Sequence, residues 1–238
     1  MIDTNGKRSI IRMFHVHRNY GTKKALIDIT LDIFKNDFVF LTGASGAGKT
    51  TLLKLLYSAE PVSEGQVLID GMNLSRIPRK RLPLLRRKFG IIFQDYKLIA
   101  SRTVFENVSL VLEAAGKKRR LIQKRVAGVL RLVGMEDRHT AYPPSLSGGE
   151  QQRVAVARAI VGDPKIILAD EPTGSLDDDS ANSIMKLLHG VHIRGATVII
   201  ATHDKALIRK TGGRVLHLKE GRLDASSFIE KDYDNSIF

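Results

Sequence analysis

Phe38-Val39-Phe40-Leu41-Thr42-Gly43-Ala44-Ser45-Gly46-Ala47-Gly48-Lys49-Thr50-Thr51-Leu52-Leu53 decides the fold. The apolar run from Phe38 to Leu41 reads as a strand buried on both faces. It enters a loop with the spacing G-x-x-x-x-G-K-[ST], and a helical stretch follows directly. Glycines let such a loop turn tightly and aim successive N–H groups at phosphate oxygens. The start of the following helix adds its partial positive charge. In this geometry Lys49 reaches the β- and γ-phosphates of a nucleotide, and the Thr50 hydroxyl is a Mg²⁺ ligand. Gly43, Ala44, Ser45, Gly46, Ala47, Gly48, Lys49, Thr50 and Thr51 form the expected nucleotide-contacting set.

Working outward, Ile27-Asp28-Ile29-Thr30-Leu31-Asp32-Ile33 alternates apolar and polar residues, the period of a half-buried strand. Val67-Leu68-Ile69-Asp70-Gly71 reads as a strand closed by a turn. Leu110 to Leu132 reads as helix, weakened by Gly116 and Gly128. Pro143-Pro144 interrupts the chain. Two further apolar runs, Ile166-Ile167-Leu168-Ala169 and Val198-Ile199-Ile200-Ala201, flank a helical stretch near Ala181 to His189. Buried strands alternating with helices predict an α/β fold with a mostly parallel sheet.

The run Ile166–Ala169 ends in Asp170-Glu171. Adjacent residues of a strand point to opposite sides, so the two carboxylates are expected to have different jobs. Asp170 is the candidate to hold Mg²⁺ through water, and Glu171 to orient or activate the attacking water. By itself Asp-Glu at a strand end is a common solvated terminus; downstream of a phosphate loop it gains weight.

A third element is Leu146-Ser147-Gly148-Gly149-Glu150-Gln151-Gln152-Arg153. Ser147 and Glu150 have capping-box spacing, ahead of a helix whose apolar face runs through Val154, Ala157 and Ile160. Gly148 and Gly149 leave N–H groups open to an anion. With the other two motifs, this stretch resembles the signature of the ATP-binding-cassette (ABC) ATPases, and the resemblance covers roughly Ile11 to Arg222. About ten residues stand ahead of the point where the resemblance begins.

That resemblance implies the cassette fold: a P-loop NTPase core with a mostly parallel sheet, an antiparallel β subdomain and a helical subdomain. It implies a single nucleotide-binding domain over 1–238, a helical subdomain with the signature at about 95–160, and a tail at 223–238 with no assigned role. It makes Tyr20 the aromatic that stacks on adenine, and Gln94 the residue that contacts Mg²⁺ and couples to a partner. Ser175-Leu176-Asp177 resembles the family's D-loop, and His203 the switch histidine at the γ-phosphate. The cofactors implied are ATP and Mg²⁺. The implied catalytic unit is a head-to-tail homodimer, each ATP lying between one chain's residues 43–50 and the other chain's Ser147, Gly148 and Gly149.

Gln94-Asp95-Tyr96-Lys97-Leu98-Ile99, Arg102-Thr103-Val104-Phe105-Glu106-Asn107-Val108 and Leu82-Pro83-Leu84-Leu85-Arg86-Arg87-Lys88-Phe89-Gly90 resemble the cell-division branch of the family. That branch pairs with an integral membrane protein and controls peptidoglycan hydrolases rather than moving a solute. Lipoprotein-release and macrolide-efflux ATPases share the run from Ala169 to Gly174, so it does not separate the branches.

The chain has 238 residues and no cysteine, which removes disulfides, thiolate metal sites and cysteine nucleophiles. No apolar run approaches the ~18 residues of a membrane span, and Met1 to Arg8 leads into no apolar signal core. These features predict a soluble chain, peripheral on the cytoplasmic face of the inner membrane once a membrane partner is granted. The net charge is +13, and Arg76 to Arg138 holds 17 Lys/Arg against 5 Asp/Glu, a net of +12. Such a block favours an anionic partner. The block reads either as a solvated helical face or as a surface drawn to anionic lipid, worth about 1 kcal/mol per basic residue at the surface. Nucleic acid is not expected, because no aromatics interleave the basic residues between Arg76 and Lys88.

Overall fold

A computed structural model of the chain describes residues 8–229, so the leader reading on residues 1–7 and the tail residues Tyr233 and Phe238 lie outside the described residues. In chain order the elements are β1 (Ser9–Tyr20), β2 (Lys23–Phe34), β3 (Phe38–Thr42), α1 (Lys49–Leu56), β4 (Glu64–Ile69), β5 (Met72–Asn73), α2 (Leu82–Arg86), β6 (Phe89–Ile92), α3 (Val104–Ala114), α4 (Arg119–Leu132), α5 (Gly148–Ile160), β7 (Ile166–Asp170), α6 (Asp178–Ile193), β8 (Thr197–Ala201), α7 (Lys205–Thr211), β9 (Gly213–Lys219) and β10 (Arg222–Ile229). They gather into two compact units, one formed by the chain up to Arg86 and from Thr197 onward, the other by Arg87–Ala196.

In the first unit, β2, β1, β4 and β5 form an antiparallel sheet in that order. β3 lies between β8 and β9, parallel to both, and β10 runs antiparallel to β9. The continuous apolar reading of β3 matches its burial, with Phe38 to Leu41 all inside. The alternation of β2 is broken once: Leu26 is buried, and the buried phase then moves to Ile29, Leu31 and Ile33. The change falls at Asp28, whose φ is +55°, opposite His15 at +46°, and the two side chains pair at 2.7 Å. Facing bulges of this kind let a strand change which face it buries. Of the tail at 223–238, the part up to Ile229 belongs to strand β10.

In the second unit, β6 and β7 pair in parallel with Gly90 opposite Ile167. Helices α3, α4 and α5 enclose a core that includes Val108, Leu112, Val126, Leu130, Val154 and Ala157. The helix expected over 110–132 is two helices. Gly116, at φ +70°, ends α3, and the Lys117 N–H reaches back to Leu112 O at 3.0 Å. α4 keeps Gly128 in its interior and buries Ile122, Val126 and Leu130 at spacings of four. At ~1.5–3 kcal/mol per fully buried aliphatic side chain, these three anchor a helix whose outer face is otherwise basic. The predicted capping box is present on α5: Ser147 Oγ accepts from Glu150 N at 3.2 Å, and Glu150 Oε2 accepts from Ser147 N at 2.8 Å. Thr103 and Glu106 repeat it on α3. The helix predicted near Ala181 starts earlier, at Asp178, with Asp177 as its cap. Among the described residues no helix is long and apolar enough to cross a membrane.

Candidate nucleotide-binding and hydrolytic site

The phosphate loop leaves the C-terminal end of β3 and closes onto α1. Gly43 has φ +143°, and a Cβ there would stand 2.2 Å from Leu218 O on β9. At Gly48, φ +108°, it would stand 2.8 Å from Ala25 O and from the Leu26 side chain on β2. Both positions therefore require glycine for conformation and for space. Lys49 Nζ donates to Gly43 O at 2.8 Å and Ala44 O at 3.2 Å, which folds its ammonium back over the loop. Thr50 and Thr51 occupy the first turn of α1, Thr50 exposed. The loop is braced from the β9–β10 turn: Gly221 N donates to Ala47 O at 3.1 Å, and Gly221 O accepts from Ile27 N at 2.7 Å.

His203 belongs to the same end of the same strands. Leu41 and Ala201 are register partners, and Thr202 N donates to Leu41 O at 3.1 Å. The histidine is exposed in a turn fixed on both sides: Thr202 Oγ1 accepts from Asp204 N, and Asp204 caps α7 through Leu207 N. The carboxyl ends of parallel strands are where α/β sheets gather ligands. Tyr20 ends β1 and is 40% exposed. Arg18, the register partner of Leu26, places its guanidinium over that ring at 4.4 Å and bonds Glu60 at 2.6 Å.

The second unit carries the remaining candidates. Asp170 is the last residue of β7. Glu171 is not a further strand residue: its φ is +46°, so the chain turns there. The expectation that strand alternation sets the two carboxylates apart is corrected accordingly: Asp170 is on the strand and Glu171 is in a left-handed turn beyond it. Gln94 is exposed just beyond β6, and the next turn contains Tyr96 and Lys97 at φ +58° and +49°. Arg158 on α5 holds that turn, donating to Tyr96 O at 2.6 Å and to Lys97 O at 2.5 Å, and burial pushes its pKa down. The Tyr96 hydroxyl lies 3.1 Å from Ser175 Oγ, and a Cβ on Gly148 would meet it at 3.1 Å. A Cβ on Gly149 would meet Ser180 Oγ at 2.7 Å. The loop after Gln94, the signature glycines and the D-loop are thus one packed cluster.

The first unit brings together residues 43–51, His203 and the sheet that ends in Tyr20. The second brings together the Gln94 loop, Ser147, Gly148, Gly149, Asp170 and Glu171. Sequence reading missed Arg18, Tyr96, Gln152, Arg158 and Gly221. Their partners lie elsewhere in the chain, and no local spacing announces them. The donors expected for Mg²⁺ are a hydroxyl, a carboxylate and a carboxamide oxygen, the hard oxygen set that suits this ion. Among the described residues no group of three or more His, Asp or Glu is placed to hold a metal ion.

A strand–glycine loop–helix, a carboxylate pair closing a buried strand and a capped signature helix are the parts of a nucleotide-hydrolysing cassette. The chain belongs to the ABC transporter family, whose sequence profile matches residues 26–174. As a member of it, the chain binds and hydrolyses ATP. Among curated proteins it is 43% identical to the cell division ATP-binding protein FtsE of Streptococcus pneumoniae over 217 residues, covering 90% of this chain and 94% of that one. It is 44% identical to FtsE of Escherichia coli K12 over 215 residues, covering 90% and 97%. Among solved structures, the dimeric post-hydrolysis cassette MJ0796 bound to ADP and Pi superposes with a TM-score of 0.86 at 33% identity, covering 92% and 99%. The cassette cbiO1 from Clostridium perfringens gives 0.84 at 32%, covering 92% and 88%.

Proposed function

We propose that the chain is the ATPase subunit of a cell-division membrane complex of the FtsE–FtsX kind, peripheral on the cytoplasmic face of the cell membrane. The observation that carries this reading is the 43–44% identity to FtsE proteins along nine tenths of the chain. ATP closes a homodimer, and an FtsX-like integral membrane partner converts closure into control of peptidoglycan hydrolysis.

The residue roles follow from chemistry. Residues 43–51 cradle the phosphates, with the Lys49 ammonium moving from the loop carbonyls to the β- and γ-oxygens. Tyr20 stacks on adenine; the placement of β1 beside β2, which abuts Gly48, supports this. Thr50, Gln94 and Asp170 (through water) hold Mg²⁺, which supplies charge neutralisation at the phosphates. Glu171 orients the attacking water, and His203 donates toward the γ-phosphate. Ser147, Gly148 and Gly149 close the second protomer's site in trans.

Anionic lipid is the proposed partner of the basic block from Arg76 to Arg138. Within it Arg86 donates to Tyr57 O and Ser58 O, and Arg87 to Ala114 O, which fixes where these two charges lie. The exposed charge able to meet anionic lipid includes Arg76, Arg79, Lys80 and Arg81, Lys117 and Lys118, and Arg119, Arg120, Lys124, Arg125 and Arg131 on α4.

The test is a membrane pull-down with Glu171→Gln locked by ATP, with Lys49→Ala as the nucleotide-free control. A membrane protein with few spans and an extracytoplasmic domain, captured together with division proteins, is the expected result. A permease with lipoprotein or drug-efflux components overturns the division role. Nucleic acid without membrane protein overturns the membrane role.

A further inference from the structure

Gln152 is fully buried on α5, one turn beyond the signature. Its Nε2 donates to Pro172 O at 2.7 Å, while its Oε1 is buried with no hydrogen-bond partner among the described residues. A half-paired amide weakens a core, and a methionine fills the same volume while exchanging the orphaned Gln152 Oε1 for an orphaned Pro172 O, a near-balanced trade. Stability therefore gives no reason for glutamine at this position. Its distinguishing product is the bond to Pro172.

Pro172 follows Glu171, which stands at φ +46°. A glutamate holds that conformation only where its surroundings impose it. From inside, the turn is closed by Gly174 N donating to Glu171 O at 3.3 Å, a long bond. From outside, the hydrogen bond from Gln152 grips its next carbonyl. α5 is itself fixed against the sheet: a Cβ on Gly90 would stand 2.3 Å from Ala159 O, and Gly90 is the register partner of Ile167 on β7. Helix, strands and turn form one rigid assembly in which Gln152 is the polar link.

We propose that Gln152 is a positioning residue for hydrolysis, tying the turn that presents Glu171 to the signature helix. The inference rests on the reading of Glu171 as the water-orienting carboxylate. α5 begins with the residues that close the second protomer's site, and one turn later it anchors its own chain's glutamate. A displacement of α5 by the trans nucleotide is thereby passed to Glu171 in cis.

The test compares full-length Gln152→Met with the parent for ATP turnover, binding of a fluorescent ATP analogue and thermal midpoint. The expected result is a kcat at least tenfold lower, with analogue affinity within twofold and no loss of thermal stability. Added to Glu171→Gln, the same substitution should change the residual turnover less than twofold, because it acts through that carboxylate. Turnover within twofold of the parent overturns the proposal, as does a tenfold loss that persists on top of Glu171→Gln. A parallel loss of affinity and stability also overturns it. Should the methionine variant not fold, Gln152→Leu removes the donor with an apolar side chain of similar volume, and the same criteria apply. If Glu171→Gln alone leaves turnover intact, the reading of Glu171 fails, which is a separate result from any outcome at Gln152.

Discussion

Asn107 binds both backbone groups of Ile99: Ile99 N donates to its Oδ1 at 2.8 Å, and its Nδ2 donates to Ile99 O at 3.1 Å. The same Nδ2 also reaches Arg102 O and Thr103 O at 3.0 Å, and the side chain is completely buried. One amide thus fixes the whole passage from the Gln94 loop into α3. Asn107→Ala strands these groups and is expected to destabilise the protein by about 2–4 kcal/mol. Chemical denaturation measures the loss. Amide exchange at Ile99 to Thr103 should accelerate, while ATP affinity stays at the parent value.

Gly221 supports the phosphate loop at a distance in sequence of more than 170 residues. Its φ is +78°, and a Cβ would stand 2.8 Å from Ala25 O. Gly221→Ala is expected to cost roughly 1–3 kcal/mol from backbone strain alone, and to weaken nucleotide binding by displacing Ala47. Denaturation and fluorescent-nucleotide titration on the same variant check both effects; unchanged affinity would remove the bracing role.

Arg18 stacks on one face of Tyr20, so the opposite face is the one offered to a base. Arg18→Met removes a cation–π contact of about 0.5–1 kcal/mol. The expected outcome is a KM for ATP raised about two- to fivefold with kcat unchanged. A fall in kcat at constant KM would place Arg18 elsewhere in the mechanism.

Three helix caps titrate together. Glu106 and Glu150 have their pKa values held below the ordinary 4.5 chiefly by the backbone N–H groups of Thr103 and Ser147. Asp177 is held below the ordinary 3.8 chiefly by the N–H of Ser180. A carboxyl lowered by folding contributes stability above its unfolded value and loses it as pH falls through the folded one. The acid limb of the stability curve should therefore steepen below about pH 4.5. Glu150→Gln, which still accepts from Ser147 N, should flatten that limb; an unchanged slope between pH 5 and about 3 would show that other groups set it.

The parts legible in the sequence are those specified within a few residues. β3, the loop at 43–50 and the Ser147–Glu150 box carry their geometry in local spacing, and each was found where it was read. β9 and β10 escaped because β9 mixes His217 and Arg214 into its run and β10 is almost wholly exposed. The break at Gly116 was visible as a weak helix position, but only the return of the Lys117 N–H to Leu112 O shows that it terminates one. The turn at Glu171 was illegible for a different reason. Nothing in Asp-Glu-Pro specifies a left-handed glutamate, and the groups that impose it come from α5 and Gly174.

Tyr96 and Lys97 give the Gln94 loop a preferred direction of travel. Two neighbouring non-glycine residues in the left-handed region raise its energy by about 1–2 kcal/mol each. The grip of Arg158 on their carbonyls holds the loop in that raised state. Whatever draws Arg158 away lets the loop run downhill, and resetting it requires work. The loop is in effect a cocked spring, held by Arg158 at its carbonyls and by Ser175 at the Tyr96 hydroxyl.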